Sequence, residues 1–147
     1  MLDTNVWLDL LWFHDPRTEA LKHALDSRRV IAVGNAACHA EWLRVLGYPA
    51  LRLGDSDRDA LVAGFNALVD PVEVETREGP VPRCSDPDDQ KFLQLAHDAG
   101  ARWLLSRDRH LVSLAARCRR DTGFAVMTPQ AWGDHEWPAT ARSDTPA

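Results

Sequence analysis

The sequence predicts an α/β fold in which helices cover both faces of a parallel sheet. Short apolar runs typical of buried strands alternate with longer segments whose apolar residues recur at helical spacing. The 147 residues, 45% hydrophobic and 27% charged, are sufficient for one soluble domain with a closed core. In a parallel sheet of this kind, a functional site lies at the carboxyl ends of the strands.

Charge and cysteine content argue against several classes of protein. A net charge of −5 disfavours a protein that coats DNA through a broad basic surface. The three cysteines are widely spaced, so they predict buried thiols instead of a disulfide framework or a zinc knuckle. No apolar run approaches the roughly 20 residues of a membrane helix, and no leader segment is evident. We therefore expect a cytoplasmic protein without membrane association.

The chain opens with a strand, a turn and a helix. Met1-Leu2 is apolar, Asp3-Thr4-Asn5 follows, and Val6–Trp12 is apolar again. For an isolated D-T-N, helix capping with an Asx turn is the commoner role of these polar residues. The next predicted elements are a helix over Thr18–Leu25 and a strand over Val30–Val33.

A glutamate lies on the apolar stripe of the helix predicted over Ala36–Leu46. Ala37 and Val45 stand four residues either side of Glu41, so its carboxylate shares a face with apolar side chains. Burying an unpaired charge is expensive. Glu41 therefore needs a partner, either an arginine such as Arg44 or a metal ion.

The middle of the chain predicts packing elements only. Ser56–Val69 is a helix that opens with a capping arrangement of Ser56 and Asp59. Val72–Thr76 alternates apolar and acidic residues, which predicts a half-exposed strand, and a loop rich in proline and glycine follows.

A helix-strand unit bracketed by acids comes next. Asp86 is a suitable helix cap and Gly100 ends the helix. Trp103–Leu105 predicts a buried strand, and Ser106-Arg107-Asp108 delivers a carboxylate just past its end. The remaining predicted elements are a helix over His110–Ala116, a strand over Phe124–Met127, a helical turn from Thr128 to Trp132, a domain end at residue 133 and a flexible tail over 134–147.

Four carboxylates converge if each lies at a strand end. Asp3 follows the first strand, Asp108 follows a later strand, and Asp89 begins the helix leading into it, while Glu41 leans in from its own helix. Converging carboxylates repel one another unless they are protonated or neutralised by cations. Hard oxygen ligands suit Mg²⁺ or Mn²⁺. Signatures of dinucleotide-binding, P-loop, serine-hydrolase and zinc sites are all missing from the sequence.

Four motifs stand in order along the chain: LDTNV at Leu2–Val6, AEWLRVL at Ala40–Leu46, DPDDQKFL at Asp86–Leu93 and SRD at Ser106–Asp108. Together they resemble the motifs of PIN-domain ribonucleases, and most closely those of the bacterial toxin-component branch related to VapC-type toxins. The resemblance extends from residue 2 to about residue 132.

This resemblance implies a three-layer α/β/α fold with a central, mainly parallel sheet. It also implies endonucleolytic cleavage of RNA with one or two Mg²⁺ or Mn²⁺ ions. The matching acids, catalytic and metal-binding in the family, are Asp3, Glu41, Asp89 and Asp108, and the supporting polar residues are Asn5 and Ser106. Helical periodicity leaves Asp88 and Asp89 equivalent, and the motif match favours Asp89.

The expected partners follow from the charge pattern and the resemblance. Arg107 and Arg109 belong to an arginine cluster that indicates either a solvated face or a surface holding RNA phosphates. A toxin would have a cognate antitoxin protein, and we also expect a homodimer. Four tryptophans are candidates for dimer contacts or, as the favoured interpretation, for the core: Trp7, Trp12, Trp42 and Trp132. The alternative function is a PIN-fold module that binds RNA or a partner without cutting.

The chain departs from the family pattern at its first strand. Only Met1 and Leu2 precede Asp3, where the family has several apolar residues. We therefore expect either a shortened central strand, with fewer ladder hydrogen bonds, or a start that lies upstream.

Overall fold

The computed structural model describes residues 1–137 and has the predicted three-layer α/β/α architecture, with helices packed around short parallel strands. The elements in chain order are α1 Thr4–Leu11, α2 Glu19–Asp26, β1 Ala32–Gly34, α3 Ala36–Leu46, α4 Asp55–Leu68, β2 Val69–Pro71, α5 Gln90–Asp98, β3 Trp103–Leu105, α6 Arg109–Val112, α7 Ala115–Asp121, β4 Ala125–Met127 and α8 Pro129–His135.

Strand pairing in the described part of the chain is parallel throughout. β1 pairs with β2, and β3 pairs with β4, each over three residues. The predicted first strand is reduced to a single bridge between Leu2 and Leu105. Around it, the Leu105 N–H donates to the Met1 carbonyl and the Asp3 N–H donates to the Leu105 carbonyl, both at 3.0 Å. Asp3 therefore emerges at the carboxyl end of β3.

The core contains two apolar clusters, and the tryptophans belong mainly to the first. Trp7, Trp42 and Trp132 are at most 3% exposed. The Trp42 ring stacks on Phe65 with centroids 5.5 Å apart, and Trp7 lies 4.7 Å from the same ring. Trp12 packs against this cluster while remaining partly exposed. The core interpretation is therefore confirmed for Trp7, Trp42 and Trp132.

The strand predicted over Val72–Thr76 is wrong. α4 ends at Leu68 and the chain turns directly into β2, whose Val69 pairs with Ala32. Beyond β2, the Val72 N–H still donates to the Gly34 carbonyl at 2.8 Å, but the acidic residues that follow have no ladder partner within residues 1–137. Alternation of apolar and acidic residues here marks an exposed loop.

Two helix boundaries also differ from the prediction. At the start of α4, the Gly54 N–H donates to the Asp57 carboxylate at 3.0 Å, so the predicted arrangement of Ser56 and Asp59 is wrong. The single helix predicted over His110–Ala116 is interrupted at Ser113 and divides into α6 and α7.

The end of the described chain remains attached to the domain. α8 continues to His135, beyond the predicted end at Trp132. The Trp137 ring lies 6.1 Å from Trp132 and 5.4 Å from the His23 ring. Residues 138–147, which form most of the expected tail, lie outside the described residues.

The three cysteines are buried free thiols, as the sequence predicted. Burial raises the pKa of all three, and that of Cys118 reaches about 11. Within residues 1–137, no helix has both the length and the apolar character needed to cross a membrane.

Candidate functional site

Asp3 turns its side chain away from the helix that it precedes. It occupies the N-cap position of α1 but makes no side-chain capping bond, so the Asx-turn interpretation is wrong for this residue. Its Oδ2 instead accepts a hydrogen bond from Ser106 Oγ at 2.5 Å. Ser106 is completely buried, and its Oγ accepts a bond from the Asp108 N–H at 2.9 Å. One hydroxyl thus joins the start of α1 to the loop after β3.

A group of three aspartates lies at the same end of the strands. Oxygens of Asp86, Asp89 and Asp108 all lie within 4.8 Å of one another. Asp86 caps the 3₁₀ turn before α5 by accepting from the Asp88 N–H, and Asp108 caps α6 by accepting from the His110 N–H. Each of these cap bonds engages one carboxylate oxygen, Oδ1 in both residues. The sequence predicted the cap at Asp86 but missed its place in this group.

Asp89, not Asp88, belongs to the buried part of the group. Asp89 is 9% exposed, whereas Asp88 is exposed to solvent. Its Oδ2 is buried without a hydrogen-bond partner among the described residues, and Asn5 Oδ1 is in the same condition. Because buried polar atoms are normally satisfied, the Asp89 oxygen indicates that a ligand or ordered water completes the aspartate group.

The electrostatics of Asp89 reflect burial and crowding. Burial raises its pKa most, a hydrogen bond shared with Asp108 raises it further, and the charges on Asp3, Asp108 and Asp86 add to the effect. The resulting pKa is about 7. Without a cation, the surroundings of Asp89 therefore favour its protonated form.

The pKa of Asp3 is raised by burial and nearby charge, as that of Asp89 is, but hydrogen bonds to Asp3 act in the opposite direction. Burial raises its pKa, and the negative charges of Glu41 and Asp108 raise it further. Hydrogen bonds from Ser106 and from the Thr4 N–H act in the opposite direction. These bonds favour the ionised form of a carboxylate that burial alone would protonate.

Glu41 makes the ion pairs that the sequence left as one of two alternatives. Lys91 Nζ donates to Oε1 at 2.7 Å, Arg44 Nη2 lies 3.5 Å from the same oxygen, and Thr4 Oγ1 donates to Oε2. The Glu41 side chain is 11% exposed. Its buried charge is thus compensated by protein groups alone, and Lys91 was not foreseen as a partner.

The two arginines proposed for RNA contact differ in their surroundings. Arg107 forms a bidentate ion pair with Asp9, whereas Arg109 is exposed at the start of α6. Sequence reasoning missed Asp9, although it had the same signal as Glu41, an acid within an apolar helical segment.

The donors of this site fit Mg²⁺ or Mn²⁺. Asp3, Asp86, Asp89 and Asp108 supply hard carboxylate oxygens, and one oxygen of Asp89 is buried and unpaired. Within the described chain, none of these four aspartates has an ion pair with lysine or arginine. The accumulated negative charge is therefore available to a divalent cation.

A comparison with protein families agrees with this geometry. A family model described as PIN domain matches residues 1–110, which is about three quarters of the chain. The matched residues include Asp3, Glu41, Asp89 and Asp108. No curated protein and no solved structure matches the chain.

Proposed function

Because the chain belongs to the PIN domain family, we propose that it is an Mg²⁺- or Mn²⁺-dependent endoribonuclease that hydrolyses phosphodiester bonds in RNA. The observation that carries the proposal is the group of Asp86, Asp89 and Asp108, whose oxygens lie within 4.8 Å of one another. Asp3 is held next to this group through Ser106.

The roles of the side chains follow from their contacts. Asp3, Asp89 and Asp108 are the proposed ligands of the ion, and Asp86 offers a further oxygen. A bound divalent ion would make water more acidic and stabilise negative charge on the phosphate. Ser106 holds the Asp3 carboxylate in place and favours its ionised form. Asn5 adds an unpaired buried acceptor.

The reaction is a simple hydrolysis. The oxygen of water forms a bond to phosphorus, the bond from phosphorus to one ester oxygen breaks, and the departing oxygen takes up a proton. Arg109 is exposed directly after Asp108, and its guanidinium would contact a phosphate of the RNA strand. Arg107 contributes less charge to such contact because Asp9 already pairs with it.

The test is cleavage of a mixed single-stranded RNA by the purified protein with Mn²⁺ or Mg²⁺. We expect cutting that EDTA and the Asp3→Asn substitution both abolish. Asp26→Asn is the matched control, since the Asp26 side chain is 51% exposed and pairs with Lys22 on the same helix. An Asp3→Asn protein with full activity would contradict the assignment of Asp3 to the metal site.

A non-catalytic RNA-binding or partner-binding module is the second candidate. The observation that favours it is the saturation of Glu41, a motif acid, by Lys91, Arg44 and Thr4. RNA binding that EDTA does not affect, without any cleavage, would support this alternative.

We further propose that the enzyme is the toxin of a toxin–antitoxin pair and acts as a homodimer. The support is the resemblance of its four motifs to the bacterial toxin-component branch. Induced expression in a bacterium should arrest growth, and Asp3→Asn should relieve the arrest. Light scattering of the purified protein measures the oligomeric state directly.

A further inference from the structure

Lys91 is fixed in position beside the acidic site. It is one of only two lysines in the chain. Its Nζ donates to Glu41 Oε1 at 2.7 Å and to the Asp88 backbone carbonyl, and it lies 4.9 Å from the centre of the Phe92 ring. The side chain is only 24% exposed. Protein contacts therefore hold the ammonium group in one position, and solvent reaches little of the side chain.

Glu41 has little capacity left for a metal ion. Oε1 faces Lys91 and Arg44, and Oε2 accepts the Thr4 hydroxyl. A divalent cation at this carboxylate would lie next to the ammonium group of Lys91, and like charges in a partly buried site repel strongly. Removing the ammonium group is the simplest way to open Glu41 to a second ion.

The aspartates stand in contrast to Glu41. Among the ion pairs of residues 1–137, none involves Asp3, Asp86, Asp89 or Asp108. The acidic site therefore has two parts, a glutamate whose charge is balanced by protein and a group of aspartates whose charge is not. Only the second part requires a cation from solution.

We infer that Lys91 is a positioning residue that supplies the cation at Glu41, so that the site takes one divalent ion, held by the aspartates, and Glu41 is not a ligand. This inference rests on the proposed function, because it concerns the same metal site. It assigns Lys91 the place that a second ion would otherwise occupy. Glu41 then serves to hold Lys91 and Thr4 in position.

The experiment counts Mn²⁺ bound per full-length chain by electron paramagnetic resonance, which needs no RNA and no turnover. We expect one ion for the wild type and one for Glu41→Gln. Lys91→Met removes the charge and keeps the length of the side chain, so it should bind two ions. The double variant Lys91→Met/Glu41→Gln should return to one. Lys22→Met, a change of the other lysine, is the matched control and should bind one.

Each other outcome has a distinct meaning. Two ions in the wild type, with one lost in Glu41→Gln, would overturn the inference and leave the proposed function standing. A folded Lys91→Met protein that binds a single ion would also overturn it. If circular dichroism shows that Lys91→Met does not fold, the Glu41→Gln count decides alone. No bound Mn²⁺ in the wild type would overturn both the inference and the proposed metal site.

Discussion

Asp9 and Arg107 connect α1 to the loop between β3 and α6 through a bidentate ion pair. Arg107 Nε lies 2.5 Å from Asp9 Oδ2, and Nη2 lies 3.1 Å from Oδ1. The Asp9 side chain is 4% exposed, while that of Arg107 is 39% exposed. Arg107 stands between Ser106, which binds Asp3, and Asp108. The helix and the loop that bring acids to the site are therefore joined at two points.

Asp9→Asn should lower the free energy of unfolding by about 1–3 kcal/mol, because it weakens two charge-assisted hydrogen bonds to a buried carboxylate. The partial exposure of Arg107 keeps the loss below that of a fully buried pair. Urea denaturation measures it. Asp26→Asn breaks an exposed pair and should cost less than about 1 kcal/mol. Equal losses in the two variants would mean that the Asp9 pair has no special structural role.

Ser106→Ala should shift the pH dependence of RNA cleavage to higher pH. Burial already raises the pKa of Asp3, and the Ser106 hydroxyl opposes that rise, so removing the hydroxyl raises the pKa further. A higher pH is then needed for ionised Asp3. The measurement is the pH–rate profile beside that of Ser113→Ala, an exposed serine of the same region. An unchanged profile would show that this hydrogen bond does not tune Asp3.

In the metal-free protein, Asp89 should contribute a loss of stability as the pH rises from about 4 to 7, while the buried Met1 amino group, whose pKa burial lowers to about 5, contributes in the opposite direction. Burial raises the pKa of Asp89 from 3.8 to about 7, so in this interval the folded state holds a proton that the unfolded state has released. Because the folded state binds more protons than the unfolded state in this interval, raising the pH lowers the Asp89 contribution to the free energy of unfolding. Melting temperatures of wild type and Asp89→Asn isolate this contribution, because the Met1 amino group is present in both, and the wild type should lose stability relative to the variant over the interval. A difference between the two proteins that does not change with pH would contradict the assignment to Asp89.

Mn²⁺ should raise the melting temperature more at pH 8 than at pH 5.5. The ion competes with the proton for the Asp89 carboxylate, and proton competition weakens as the pH rises above about 7. Asp89→Asn should reduce both the stabilisation and its pH dependence. Stabilisation by Mn²⁺ that is the same at both pH values would place the ion elsewhere.

Gly34→Ala should destabilise the protein by about 1–3 kcal/mol, because overpacking strains a close strand contact. A Cβ at Gly34 would lie 2.8 Å from Val69 Cγ2, across the pairing of β1 with β2. Gly64→Ala is the matched control: its Cβ would meet Leu11 methyl groups at ordinary distances, so the helix should gain about 0.5–1 kcal/mol. Urea denaturation compares the two, and a neutral Gly34→Ala would show that β2 can move away.

Local signals account for the parts of the fold that were predictable. The bounds of α3 follow from Asn35, whose side chain caps the helix, and from Gly47 at its end. Gly100 ends α5 with a positive φ of 63°. The prediction of a strand at Val72–Thr76 was wrong because alternating apolar and acidic residues indicate only which side chains share a face. A strand also needs a neighbouring strand to accept its backbone hydrogen bonds, and local sequence does not specify that neighbour.

The candidate site was predictable only as a set of acids. Lys91 lies fifty residues from Glu41 along the chain, and Arg107 lies ninety-eight from Asp9. No local pattern specifies which partners meet across such separations. The sequence does predict that Glu41, an acid on an apolar helical face, needs a positively charged partner. The packing of α3 against α5 determines that this partner is Lys91.

Cys84 provides a natural reporter of motion at the site. It lies two residues before Asp86, its N–H donates to Gln90 Oε1 at 2.7 Å, and its Sγ contacts the His110 carbonyl at 3.7 Å. A buried thiol with a raised pKa reacts slowly with alkylating reagents until its surroundings open. The labelling rate of Cys84, resolved by mass spectrometry, therefore reports how readily the segment before Asp86 separates from α5 and α6, without any introduced probe.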